Sequence, residues 1–254
     1  MGPEEDDAAD LGPLTHDQLT RDVWLWQRAR GHRFSSDDLV TALIAAAAVP
    51  APSQVVDLGC GIGTVLLHLA WSMPAARLAG VEAQAVSFAL LQRNVAESGL
   101  AARVQIARGD LRDPTVLAGL PRDVPLVTGT PPYFPPGHAL DAGDRQRAYA
   151  RIEYRGGVEA YLAAAAQLLA VDGTLVLCGA AGADARVQAG AATVGLHVVA
   201  RCDVFGRAGQ AALFAVWTVR RTPGAPSITS MTLRDAAGVR TDDAQRLKVF
   251  AGLA

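Results

Sequence analysis

The chain has 254 residues, half of them hydrophobic, and a formal net charge of −2. That suffices for one well-buried domain, and the charge argues against a dedicated nucleic-acid binder. No apolar run is long enough to cross a bilayer, and Cys60, Cys178 and Cys202 have neither the spacing of a zinc site nor the density of a disulfide framework.

Residues 1–14 are small and acidic, so a disordered tail is expected. The tail has no apolar stretch, does not read as a secretory signal, and leaves a cytoplasmic protein as the expectation. Residues 15–50 are expected to cover a substrate or cofactor pocket. Within them, 23–27 reads as a strand and 30–34 as a turn leading out of it. Arginines interleaved with Trp24 and Trp26 suit phosphate contact and base stacking, or equally a pocket-covering hairpin whose arginines are solvated. Ser35-Ser36-Asp37-Asp38 is an N-cap cluster before a helix over 39–49.

Val55-Val56-Asp57-Leu58-Gly59-Cys60-Gly61-Ile62-Gly63-Thr64 reads as a buried strand, a tight glycine turn and a helix start. The glycines let the backbone bend and admit a ligand where a Cβ would block it. Helix N–H groups then face that ligand. A dinucleotide turn places its glycines as Gly-x-Gly-x-x-Gly; here Gly59, Gly61 and Gly63 alternate behind a carboxylate. Asp57 would repel a diphosphate and suit the ammonium of an amino-acid-like cofactor, which favours S-adenosylmethionine (SAM) over NAD. A second strand ends in Glu82, where a ribose diol needs an acceptor, and a third ends in Asp110, placed for an adenine amino group. The fourth strand, 125–129, runs into Thr130-Pro131-Pro132-Tyr133-Phe134.

Helical stretches over 83–99 and 112–119 alternate with these strands, which implies a parallel sheet with right-handed crossovers. Residues 135–144 are too rich in Pro and Gly to be regular and are expected to border a site. Arg147, Arg151 and Arg155 recur every four residues, so a helix would align them. They form either a ridge for RNA phosphates or a solvated face paired locally to Asp144 and Glu153. A helix over 158–170, a fifth strand at 174–178 and an antiparallel pair at 196–204 and 211–219 complete the pattern.

Asp57-Leu58-Gly59-Cys60-Gly61-Ile62-Gly63, Glu82, Gly109-Asp110 and the Pro-Pro-Tyr loop together resemble class I SAM-dependent methyltransferases. More narrowly the set is similar to the amino-methylating branch with an Asn/Asp-Pro-Pro-Tyr/Phe loop, and to bacterial tRNA adenine-N6 methyltransferases of valine tRNA. Gln27, Gly31-His32-Arg33-Phe34 and Asp37 resemble that family's segment Gln…Gly-Tyr-Arg-Phe…Asp, and Ala150-Arg151-Ile152-Glu153 its Ala-Arg-His-Glu. The first loop position is Thr130 where the family has Asn or Asp. The resemblance implies a Rossmann-like α/β fold over 51–254, with a seven-stranded, mostly parallel sheet and an antiparallel last strand pair. It implies SAM as cofactor, held by Asp57, Gly59, Gly61, Gly63, Glu82, Asp110, Leu111 and Thr130, with Asp37 either a cofactor neighbour or a plain cap. It further implies catalysis by Thr130, Pro131, Pro132 and Tyr133, with Tyr133, Phe134, Arg147 and Arg151 toward substrate. The expected reaction is N-methylation of an exocyclic amine on RNA. Alternatives are a small-molecule or protein side-chain acceptor, or a SAM-binding RNA module without turnover. No metal and no membrane are expected.

Overall fold

The computed structural model describes residues 10–137 and 144–254. Residues 1–9 of the expected tail and 138–143 of the expected loop lie outside them. A hairpin opens the chain: β1 (Leu14–Gln18) pairs antiparallel with β2 (Trp24–Arg28). The expected strand at 23–27 is therefore present, shifted by one residue, and its hairpin partner precedes it. Helix α1 (Ser36–Ala48) follows, with the Ser35 N–H donating to Asp38 Oδ2 across its first turn.

The main sheet comprises β3 (Gln54–Leu58), β4 (Arg77–Glu82), β5 (Val104–Arg108), β6 (Val124–Gly129), β7 (Leu169–Gly179), β8 (His197–Phe205), β9 (Phe214–Arg220) and β10 (Ser227–Thr232). Their order is β10-β8-β9-β7-β6-β3-β4-β5, and β9 runs antiparallel to both β7 and β8. Eight strands replace the expected seven, because β10 adds to β8 in parallel. Of β10 only Met231 is buried, so the segment lacks the alternating apolar pattern that would announce a strand.

One sheet face carries α1, α2 (Thr64–Ser72) and α3 (Ala85–Glu97); the other carries α4 (Pro114–Ala118), α6 (Val158–Leu168) and α7 (Asp184–Thr193). Near-continuous apolar runs such as Leu175-Val176-Leu177-Cys178 are fully buried, as a sheet covered on both faces requires. Helix α8 (Asp242–Phe250) buries Leu247 in the same cluster as α1 and α2, and α5 (Arg145–Arg151) stands between β6 and α6 in the chain. Register decides where chemistry can sit: Asp57 is level with Gly80 on one side and Thr128 on the other. The carboxyl ends of β3, β4, β5 and β6 thus open side by side, where ligands of α/β sheets bind.

The arginine ridge is corrected. Helix α5 stops at Arg151 because Phe134 bridges to Ile152, with the Tyr133 and Phe134 N–H groups donating to the Arg151 carbonyl at 3.1 and 3.0 Å. Arg155 falls beyond the helix and off the shared face. The local pairs are also redistributed: Asp144 caps α5 and pairs with Arg28 at 3.4 Å, while Glu153 pairs with Arg186 at 2.9 Å.

Candidate functional site

Two cavities meet at the strand ends. The first, about 110 Å³, is lined by the glycine turn at Gly59 to Ile62, by Glu82 and Gln84, by Asp110 and Leu111, and by Thr130, Tyr149, Arg155 and Tyr161. The second, about 490 Å³, lies between Gly31 to Asp38, the loop at Thr130, Pro131, Tyr133 and Phe134, and Arg147 and Arg151. His32, Asp38, Thr130 and Ala150 line both, so they form the wall between them.

The turn is built as its glycines demand. Gly59 and Gly61 have φ of +60° and +58°, the left-handed region. A Cβ on Gly59 would collide with Tyr161, whereas one on Gly61 would point into open space. Gly61 N–H donates to Glu82 Oε2 at 2.9 Å, and Gln84 N–H to Oε1 at 2.6 Å. Glu82 thus faces the cavity already fixed by backbone N–H groups. Burial pushes its pKa up. Gly63, also left-handed, caps α2 and does not line either cavity.

Asp57 sits beneath the turn, 1% exposed, and lines neither cavity. Thr128 Oγ1 donates to its Oδ1 at 2.7 Å, and Oδ2 is buried without a hydrogen-bond partner. Burial drives its pKa up to about 7, against the Thr128 bond and the nearby Leu66 N–H. A buried carboxylate oxygen left unpaired is costly unless a ligand or proton meets it. Asp110 differs. Burial raises its pKa, but Arg112, donating from Nη2 at 2.6 Å, outweighs this and holds it below the usual range.

On the other side of the wall, Tyr133 is fixed at its hydroxyl, which donates to Asp37 Oδ2 at 2.8 Å and lies 3.0 Å from Cys178 Sγ. Asp37 lines the larger cavity only; its neighbour Asp38 lines both. Arg151 lies over the Phe134 ring, 5.8 Å from its centre. Arg147 Nη2 donates to the carbonyls of Arg30 and Gly31 at 3.0 and 3.1 Å, so it braces the lead-in segment as well as lining the cavity. The tryptophans are elsewhere: Trp26 stacks on His16, is covered by Arg93, and donates to Glu97. Its faces are spent on α3 and the hairpin and offer no platform for a base.

Residues 55–136 match a family model described as a methyltransferase domain. The chain carries a class I methyltransferase domain. It is 35% identical over 128 residues, 50% of this chain and 49% of the relative, to a tRNA1(Val) (adenine(37)-N6)-methyltransferase of Porphyromonas gingivalis. It is 35% identical over 133 residues, 48% of this chain and 44% of the relative, to a release factor glutamine methyltransferase of Moorella thermoacetica. The chain spans about half the length of these curated relatives. The fold is shared with a crystal structure of a predicted O-methyltransferase from Agrobacterium tumefaciens, with TM-score 0.64, 18% identity, and 87% of this chain and 98% of that chain covered.

Three residues that line the cavities, and one that supports them from behind, escaped sequence reasoning in that role. Asp38 and His32 were visible as a cap and as part of a basic stretch, but nothing local placed them on the shared wall. Gln146, buried, accepts from the His32 N–H and donates to Ser87, which only the folded chain reveals. Tyr161 comes from α6, where its spacing reads as ordinary core. Among the described residues no group of three metal-ligating side chains gathers, and no helix is long and apolar enough to cross a membrane.

Proposed function

We propose that this chain is a SAM-dependent N-methyltransferase whose acceptor is an exocyclic amine on RNA, of the tRNA adenine kind. The observation that carries the reading is the shared wall: a glycine-turn cavity that shares Thr130 with a larger one lined by the Pro-Pro-Tyr loop. The residues fit the donor. Asp57 Oδ2 is an unpartnered buried acceptor that lines neither cavity, so its charge would act on an ammonium from behind the glycines; Gly61 leaves backbone approach open; Glu82 suits a ribose diol. The smaller cavity, at about 110 Å³, falls short of the roughly 300–1,000 Å³ usual for such ligands, so its lining must open to admit an adenosyl group.

When bound, SAM supplies an electrophilic methyl group on a positively charged sulfur. The chain's own task is positioning, since an in-line displacement gains most from held geometry. Tyr133, pinned by Asp37 and Cys178, holds its ring as a rigid wall against the acceptor. The two prolines stiffen the loop and, lacking N–H groups, leave carbonyls to accept from the amine. Thr130 offers a hydroxyl where the resembling family has an amide or acid, a shorter acceptor with the same polarity. Arg147 and Arg151 supply positive charge for phosphates flanking the acceptor. The Porphyromonas gingivalis relative, named for adenine N6 methylation of tRNA, supports this choice of acceptor.

Calorimetry with SAM and labelled-methyl transfer onto cell RNA, protein and metabolite fractions test it together. Label in RNA is expected. Label confined to protein would move the acceptor to a side-chain amide, and absence of SAM binding would end the reading. Thr130→Asn is expected to preserve or raise transfer to adenine.

A further inference from the structure

Resting on that reading, we infer that His32 is a catalytic residue, the proton acceptor of the transfer reaction. Among the described residues, three polar side chains stand on the wall between the two cavities: His32, Asp38 and Thr130. Any amine poised between donor and acceptor sites must lie against them. A neutral exocyclic amine gains a bond to the methyl carbon with its lone pair, while the carbon–sulfur bond breaks and sulfur keeps that electron pair. The nitrogen is left with one proton too many. A group beside it must take that proton, or the product leaves as an unstable cation.

Two of the three are poorly placed to do so. The hydroxyl of Thr130 has no accessible conjugate acid at neutral pH. Burial and the charge of Asp37 push the Asp38 pKa up, and its Oδ2 already accepts from the Ser35 N–H within the first turn of α1. His32 is the opposite case, because burial disfavours the charged imidazolium and so favours the unprotonated ring, whose lone pair is open to a proton. No described residue hydrogen-bonds its ring. Its backbone, by contrast, is fixed: His32 N–H donates to Gln146 Oε1 at 3.2 Å, and Arg147 holds the Gly31 carbonyl. A Cβ on Gly31 would collide with that same Gln146 oxygen. The ring is thus a free base on a rigid mount. The larger cavity reaches the surface at Ser35 and Leu213, which are exposed, so the proton has a route to water. Thr130 and His32 are also both positions that depart from the resembling family, where Asn or Asp and Tyr stand. Both departures meet on one wall.

The test uses an unmodified valine tRNA transcript as acceptor. For His32→Ala, kcat is expected to fall on the order of 10²–10³-fold, with KM for the transcript and Kd for SAM within about twofold. Added imidazole is expected to restore much of that loss in His32→Ala and none in His32→Gln, whose side chain still fills the space. The acid limb of the kcat profile, set by His32 against Asp37, Asp38, Tyr133, Asp144, Arg147 and Arg151 around it, is expected to vanish in both variants. As a readout independent of turnover, the His32 ring resonances are expected to titrate below ordinary imidazole. A wild-type chain that leaves the transcript unlabelled removes the underlying reading and this inference with it. Labelling by wild type with kcat unchanged in His32→Ala, a loss confined to KM, or a His32 ring charged at neutral pH removes the inference alone.

Discussion

The two sides of the shared wall are made differently. On the side proposed for the cofactor, Glu82, Asp110 and Thr130 sit at or just past the ends of parallel strands, and the pairing register of β3, β4 and β6 fixes the relative heights of those ends. On the acceptor side, the lining comes from the segment before α1, the loop after β6, α5 and the start of β9, tied by side-chain bonds. The first kind of site tolerates little change because the backbone itself is the surface. The second is held by a few polar contacts and can be retuned one residue at a time. That asymmetry suits an enzyme class with one donor and many acceptors.

The sharpest way to break the comparison is to give the backbone surface a side chain. Gly61→Leu is expected to weaken SAM binding on the order of 100-fold, near 3 kcal/mol, since its side chain would enter the cavity. Left-handed strain of about 1–2 kcal/mol should lower the melting temperature by only a few degrees. Calorimetry and thermal denaturation separate the two effects. On the acceptor side, Tyr133→Ala is expected to cost on the order of 10² in kcat through lost positioning. Tyr133→Phe, which keeps the ring and loses the bonds to Asp37 and Cys178, should cost only a few-fold. Arg151→Ala is expected to weaken tRNA binding several-fold and to reduce the slope of log affinity against log salt by about 1, with SAM binding unchanged.

A smaller effect tests the cofactor side through pH. The native pKa of Asp57, about 7, lies above its ordinary 3.8, so across that interval the native state holds more protons than the unfolded chain. By linkage, stability falls as pH rises through the window. Between pH 6 and 8 the SAM-free protein should lose about 1 kcal/mol from this group, and saturating SAM should flatten the loss. Denaturant melts at several pH values check it. Smallest of all, Trp26→Ala should leave tRNA affinity within about twofold while lowering stability by about 1–2 kcal/mol, because that ring serves the hairpin. A large loss of tRNA affinity would return the tryptophan to the substrate.

What was legible follows the same division. Glu82, Asp110 and the glycine turn were found because strand, turn and helix are local patterns and a parallel sheet aligns their ends. Asp57 was found but misplaced by depth: charge suggested a wall residue, and the fold buries it beneath the turn. On the acceptor side, the Pro-Pro-Tyr loop was visible, but the four-residue spacing of Arg147, Arg151 and Arg155 misled. The bridge from Phe134 to Ile152 ends the helix, and no local rule reports a contact so distant in sequence. The reversed strand pair was expected, whereas β10 was missed for want of an apolar face. His32 carries no periodic signal at all, since its position is set by Gln146 more than one hundred residues away.

Asn94 joins the two halves in one side chain. From α3, fully buried, it accepts from the Trp26 N–H at 2.7 Å and donates to the Trp26 carbonyl at 3.0 Å and to the Ile62 carbonyl at 2.9 Å. An amide here does what a neighbouring strand would do for β2, and it grips the glycine bend with the same hand. Occupancy of the bend by a ligand should therefore be felt as slower amide hydrogen exchange and greater protease resistance in the amino-terminal ribbon, well away from any contact with that ligand.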